Sequence, residues 1–164
     1  MTLPADLLLR ALSMDDLPTL VDLLAGSDPW RRLGYTRDDF VSVLTSPLGE
    51  REATVAAIGP KPVGLAVVRP RFLAGDYLEI LAVADGTRGR GVGAALLGHV
   101  EQRAFARAPN LFVCVSDFNL AARRFYARCD YAEVGSLPDL LVAGSAEVLL
   151  RKTRGPARSG PRPD

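Results

Sequence analysis

The chain has little lysine, cysteine or histidine, and each shortage excludes something. Only Lys61 and Lys152 are lysine; every other basic residue is arginine. Basic and acidic residues nearly cancel, for a formal net charge of +1. That balance excludes a dedicated nucleic-acid binder, which carries a basic excess or stripe. Arginine favours bidentate contact with phosphate or carboxylate. Cysteine is confined to Cys114 and Cys129, and the one histidine, His99, has no partner close in sequence. No metal-ligand spacing is present, so no metal is expected. The two thiols are expected to stay reduced, as in a cytoplasmic protein. No run of about 20 apolar residues is present, and no basic stretch leads into an apolar one at the N-terminus. Neither a membrane span nor a secretory leader is expected.

What is there suits one globular domain. The chain has 164 residues, 48% of them apolar, enough to bury a core. The domain is assigned to residues 1–152. Residues 153–164 (TRGPARSGPRPD) are rich in proline, glycine and arginine and are expected to form a disordered tail.

Periodicity and breakers divide the domain. A strand is expected over residues 7–12. Ser13 with Asp16 reads as a helix cap, followed by Leu17, Leu20, Val21 and Leu24 at helical spacing. Thr36 opens a second helix to about Leu44. Strands are expected at 52–58, 63–69 and 77–83, the first two as a hairpin through Gly59-Pro60-Lys61-Pro62. A helix follows from about Gly91 to Ala106. Residues 111–115 (LFVCV) read as a strand buried on both faces. A helix over 119–128 and strands at 131–134 and 147–150 complete the order. The result is a mixed α/β sheet of six to seven strands with about four helices and one parallel pair.

The chemistry centres on residues 77–106. A strand ends in Leu81-Ala82-Val83. A turn follows, Arg88-Gly89-Arg90-Gly91-Val92-Gly93, and then Ala94 and the helix. Unpaired N–H groups at a helix start, together with the helix dipole, favour an anion, and glycine lets the backbone approach it closely. A tight turn with solvated arginines is the plain alternative. A dinucleotide fingerprint is another, since Gly89-x-Gly91-x-x-Ala94 fits and Asp117 lies suitably downstream. The late position of the motif and the short chain after it oppose a dinucleotide fold.

Asn119 and Tyr126 stand seven residues apart, nearly two helical turns, and so share a face. Asn119 suits a cap or a ligand contact. Tyr126 suits proton donation to a leaving thiolate, or simply core packing beside Phe125.

In this order the motifs resemble the Gcn5-related N-acetyltransferase (GNAT) superfamily, from about Leu7 to Arg151. The matching pieces are Leu81-Ala82-Val83, then Arg88-x-x-Gly91-x-Gly93, then Asn119, then Phe125-Tyr126. Asp130 stands where the family usually has glycine, at a turn that often needs positive φ, which Asp tolerates. The resemblance implies acetyl-CoA held where two parallel strands splay apart. Leu81, Ala82 and Val83 would meet the pantetheine and thioester. The turn from Arg88 through Gly89, Arg90, Gly91, Val92 and Gly93 to Ala94 would hold the pyrophosphate. Asn119 would contact the pantetheine and Tyr126 would act as acid. An amine would then attack the thioester directly, on a small molecule, a peptide or a protein.

Glu79 is the candidate base, placed by strand alternation on the face of Leu81 and Val83. Its alternatives are an anchor for the substrate ammonium or an ordinary sheet residue. Cys114 is disfavoured as nucleophile by its apolar surroundings. Trp30 and Tyr35 would wall an acceptor pocket near the loop 137–143, with Asp28 or Asp139 attracting the ammonium; ordinary packing of a helical cover is the alternative. Other functions remain open on sequence: a CoA-binding module without catalysis, and a dinucleotide-dependent oxidoreductase. A monomer or homodimer is expected.

Overall fold

The computed structural model describes residues 3–158 and 160. Among them seven strands form one sheet in the order β1-β2-β3-β4-β5-β7-β6. The strands are β1 (Leu7–Ala11), β2 (Glu52–Ile58), β3 (Lys61–Phe72), β4 (Gly75–Val83), β5 (Asn110–Ser116), β6 (Ala132–Pro138) and β7 (Ala146–Thr153). The α-helices are α1 (Leu17–Ala25), α2 (Arg37–Leu44), α3 (Val92–Arg107) and α4 (Leu120–Arg128). Only β4 and β5 pair in parallel, because the α3 crossover returns the chain in the same direction.

Two cores flank the sheet. Leu96, Leu97, Val100 and Ala104 of α3 pack with Leu78, Leu111, Val113, Val148 and Leu150 on one face. Leu20, Val21 and Leu24 of α1 and Phe40 and Leu44 of α2 pack with Val55, Leu65, Val67, Ile80 and Ala82 on the other. Both α1 and α2 are introduced by capping boxes. Ser13 and Asp16 open a short 3-10 turn ahead of α1. Thr36 and Asp39 open α2, with the Thr36 N–H donating to the Asp39 carboxylate at 2.7 Å.

The β3–β4 hairpin is longer than the sequence suggests. Residues 70–76, expected as a loop, continue both strands around Leu73 and Ala74, which adopt φ of 43° and 57°. Phe72 holds the extension, with its ring centroid 5.1 Å from Tyr77 and 5.5 Å from Phe112. Asp76 anchors it too, accepting from the Arg71 N–H and from the Arg107 guanidinium of α3. At its other end the sheet also runs further than expected. Thr153 closes β7 and the Arg154 N–H donates to the Pro109 carbonyl at 2.8 Å. The expected tail therefore begins as sheet, and its residues 159 and 161–164 lie outside the described residues.

Parallel pairing begins at Gly75 opposite Asn110. A Cβ on Gly75 would stand 2.2 Å from the Asn110 carbonyl oxygen, a backbone atom that cannot swing away. Gly75→Ala is therefore expected to destabilise the fold by about 3 kcal/mol, or roughly 10 °C in melting temperature. Thermal denaturation of the variant checks this.

Candidate active site

The parallel pairing of β4 and β5 runs from Gly75–Asn110 to Leu78–Val113 and stops. Beyond it β4 stays on β3, through Ile80–Val67 to Val83–Gly64. β5 stays on β7, through Cys114–Leu149 to Ser116–Glu147. The two strands thus part while each remains in the sheet. The β5-facing edge of β4 from Glu79 to Val83 is left without a strand partner, as the fold reading expected.

The glycine turn sits at the open end of this gap. Gly89 and Gly91 adopt φ of 74° and 82°, where a side chain costs strain. Gly91 is the N-cap of α3, and no side chain caps that helix. The first helical bond runs from the Ala95 N–H to the Gly91 carbonyl at 2.9 Å. None of the N–H groups from Gly89 to Ala94 donates to another described residue. Six consecutive donors at a helix N-terminus form an anion cradle. Val92 is buried beneath it, and a Cβ added at Gly93 would meet Val83 and Phe125 at ordinary contact distance. The arginines contribute less than their charge suggests. Arg88 folds back, donating to the Val83 carbonyl at 3.1 Å and pairing with Asp85 at 3.0 Å. Arg90 is exposed.

Asn119 is the N-cap of α4, accepting from the Ala122 N–H at 3.1 Å. Tyr126 is buried, its ring 5.2 Å from Phe125 and 5.3 Å from Tyr131, both edge-on. Burial pushes its hydroxyl up, so it stays protonated. Asp130 adopts φ of 66°, the positive-φ position anticipated after this helix.

Glu79 lies on the other face from the one alternation predicts. A bulge pairs Val67 with Ile80 and Val68 with Leu78, so β4 carries one extra residue there. Leu78, Leu81 and Val83 join the α3 side, whereas Ile80 and Ala82 join the α1–α2 side. Two consecutive residues at a bulge share a face, and Glu79 goes with Ile80. Its carboxylate is held by Arg51 at 2.6 and 3.1 Å and by Arg69 at 3.2 Å.

That α1–α2 side brings together groups the sequence singles out and others it does not, Tyr77, Ser116 and Glu147 among them. Tyr77 and Cys114 face each other at the bottom of the gap, and burial pushes both the phenol and the thiol up. Glu147 of β7 is 5% exposed, and the Ser116 hydroxyl of β5 donates to its carboxylate at 2.7 Å. Tyr35 stacks on Phe40 at 5.7 Å; burial, with Glu147 and Glu79 nearby, raises its hydroxyl. Trp30 packs edge-on against Phe40 at 6.1 Å and belongs to the α1–α2 core. Asp28 is paired with Arg31, and Asp139 accepts the Gly144 N–H. Asp117 accepts from Ser145 and the Ala146 N–H and so ties β5 to the β6–β7 loop. A groove of about 640 Å³ opens between Arg32, Asp117, Phe118, Leu120, Val142 and Ser145, with the Arg32 guanidinium 3.8 Å from the Phe118 ring centroid.

Among the described residues no cluster of His, Cys, Asp and Glu could hold a metal ion. No helix among them is long and apolar enough to cross a membrane. The sheet, largely antiparallel, is not the doubly wound parallel sheet of a dinucleotide fold.

Comparisons with known proteins agree with this architecture. No curated protein matches the chain. Among solved structures, the ribosomal-protein-S18-alanine N-acetyltransferase from Escherichia coli is 17% identical, with a TM-score of 0.77 over 95% of this chain and 99% of that one. A GNAT acetyltransferase from Elizabethkingia anophelis with acetyl-CoA bound is 16% identical, with a TM-score of 0.73 over 92% and 99%. NAA60 of Arabidopsis thaliana in complex with a bisubstrate analogue is 18% identical, with a TM-score of 0.74 over 91% and 99%. At such identities the likeness concerns the fold. The family model of the acetyltransferase (GNAT) family matches residues 17–131, more than half the sequence. The chain belongs to the acetyltransferase (GNAT) family.

Proposed function

We propose that the protein transfers an acetyl group from acetyl-CoA to a primary amine by direct attack in a ternary complex. The observation that carries this reading is the parting of β4 and β5 beyond Leu78 and Val113, with the unpaired N–H groups of Gly89–Ala94 at its open end. An extended thiol arm fits between the strands, and a diphosphate fits the turn. In this reading Leu81, Ala82 and Val83 meet the pantetheine and thioester, Asn119 meets the arm, and Tyr126 protonates the leaving sulfur. Arg88 and Arg90 add screened charge at the pyrophosphate. Tyr35 faces the acceptor, Trp30 supports it through Phe40, and Glu79 fixes Arg51 and Arg69 beside the acceptor side. An acetyl-CoA-bound relative and a named alanine N-acetyltransferase in the same fold support it.

The acceptor is a small-molecule, peptide or protein amine, approaching from the α1–α2 face through the groove beside Asp117 and Ser145. Thiol release from acetyl-CoA across a panel of such amines tests the reading. Amine-dependent release is expected. Acetyl-CoA binding with no release onto any amine would leave a binding module instead.

A further inference from the structure

Direct attack needs a neutral nitrogen, and an amine arrives as ammonium. The group first suggested for the proton, Glu79, is committed elsewhere. Two guanidinium nitrogens of Arg51 and one of Arg69 occupy its carboxylate. A carboxylate whose oxygens already accept three hydrogen bonds has few lone pairs left to meet an amine.

We infer that Glu147 of β7 is the base that takes the proton from the acceptor amine, an inference that rests on the acetyl-transfer reading above. Three observations place it there. Glu147 pairs with Ser116 across β5 and β7, three residues beyond Val113, where β5 has already parted from β4. Val148 and Leu150 face the α3 core, so Glu147 by alternation faces the acceptor side, with Ser116 bonded to it. The groove opens close by: Asp117 and Ser145 line it, one residue from Ser116 and two from Glu147 in sequence, while Ser116 and Glu147 lie buried behind that lining.

The surroundings suit a base. Among the described residues no arginine or lysine pairs with Glu147; its hydrogen bond comes from the neutral Ser116 hydroxyl. The ionisable groups around it are Asp117 just after β5, Cys114 of β5, Tyr77 of β4 and Tyr35 of the α1–α2 connection. None is a cation. Burial and the Asp117 charge raise the carboxyl above the ordinary glutamate range, and the Ser116 bond opposes them in part. A raised carboxylate is a stronger base at neutral pH.

The step balances. One proton passes from the ammonium to the Glu147 carboxylate, leaving R–NH2 and a neutral carboxyl. The nitrogen lone pair forms the C–N bond and the C–S bond breaks. Sulfur keeps the bonding pair and takes the Tyr126 proton, while nitrogen's second proton passes through solvent to restore Tyr126. Glu147 then returns its proton to solvent, so each turnover releases one.

The test compares the pH dependence of kcat in wild type, Glu147→Gln, Ser116→Ala and Glu79→Gln. Wild type should gain activity as pH rises through the Glu147 ionisation, because the carboxylate is the active form. Glu147→Gln keeps a group that can accept from Ser116, so it should fold and bind acetyl-CoA. Its kcat should fall by about 10²-fold or more and its acid limb should vanish. It should also be no less stable than wild type at neutral pH. A carboxyl whose folded value is raised holds its proton longer folded than unfolded, so ionisation costs the fold stability as pH rises, and Gln removes that cost. Ser116→Ala should move the acid limb upward, since a bond favouring the anion is gone. A purely structural Glu147 would leave the limb in place. Wild-type kcat in Glu147→Gln, or a limb that disappears in Glu79→Gln alone, overturns the assignment while acetyl transfer stands. Absence of amine-dependent release from wild type overturns both.

Discussion

Replacing Tyr126 with Phe is expected to lower kcat by roughly 10²-fold while acetyl-CoA affinity stays within about twofold. Tyr126 lies on the face of α4 set by its Asn119 cap, and α4 starts directly after the strand that forms one wall of the gap. The ring is wedged between Phe125 and Tyr131. Phe preserves those contacts and deletes only the oxygen. Because burial raises the hydroxyl, the proton is in place throughout the neutral range. On the proposed mechanism, deleting it removes the donor to the leaving sulfur and nothing from the binding of the rest of the ligand. Steady-state kinetics with calorimetric binding separates the two effects. Unchanged kcat across pH would remove Tyr126 as the acid, and an equal loss of affinity would make it a packing residue.

Gly91→Val should abolish measurable acetyl-CoA binding, a loss of at least about 10²-fold. Gly91 sits at φ of 82°, a conformation a β-branched residue adopts only under strain. The new Cβ would also come within 3.1 Å of the Leu3 side chain. The turn must therefore rearrange, and the unpaired N–H groups from Gly89 to Ala94 go with it. Because the turn is largely exposed, melting temperature should fall far less than affinity does. Gly98→Ala in the same helix is the control. Its Cβ meets nothing within 4 Å, so it should leave binding intact and stabilise the helix by about 0.5–1 kcal/mol. Binding that survives Gly91→Val would place the phosphate elsewhere.

The sequence made some parts of this molecule legible because the chemistry was local. The Ser13–Asp16 and Thr36–Asp39 boxes act within four residues, and so does the glycine turn. Their signals survive folding unchanged. The positive φ of Asp130 was readable for the same reason. The face of Glu79 was not, because a bulge opposite Val67 and Val68 shifts the register by one residue and alternation cannot see it. The reach of the β3–β4 hairpin was hidden by Leu73 and Ala74, which turn without glycine. Glu147 carries no motif at all. Only the antiparallel return of β7 beside β5 brings it to Ser116, over a separation of 31 residues. Trp30 was expected as a pocket wall; its edge-on contact with Phe40, ten residues on, is a packing role the sequence did not announce.

The most direct measurement is calorimetric titration of the protein with acetyl-CoA and, separately, with NAD. The parted strands and the glycine turn predict one saturable site for acetyl-CoA, lost in Gly91→Val, and no binding of NAD. Saturable binding of NAD with none of acetyl-CoA would contradict the account.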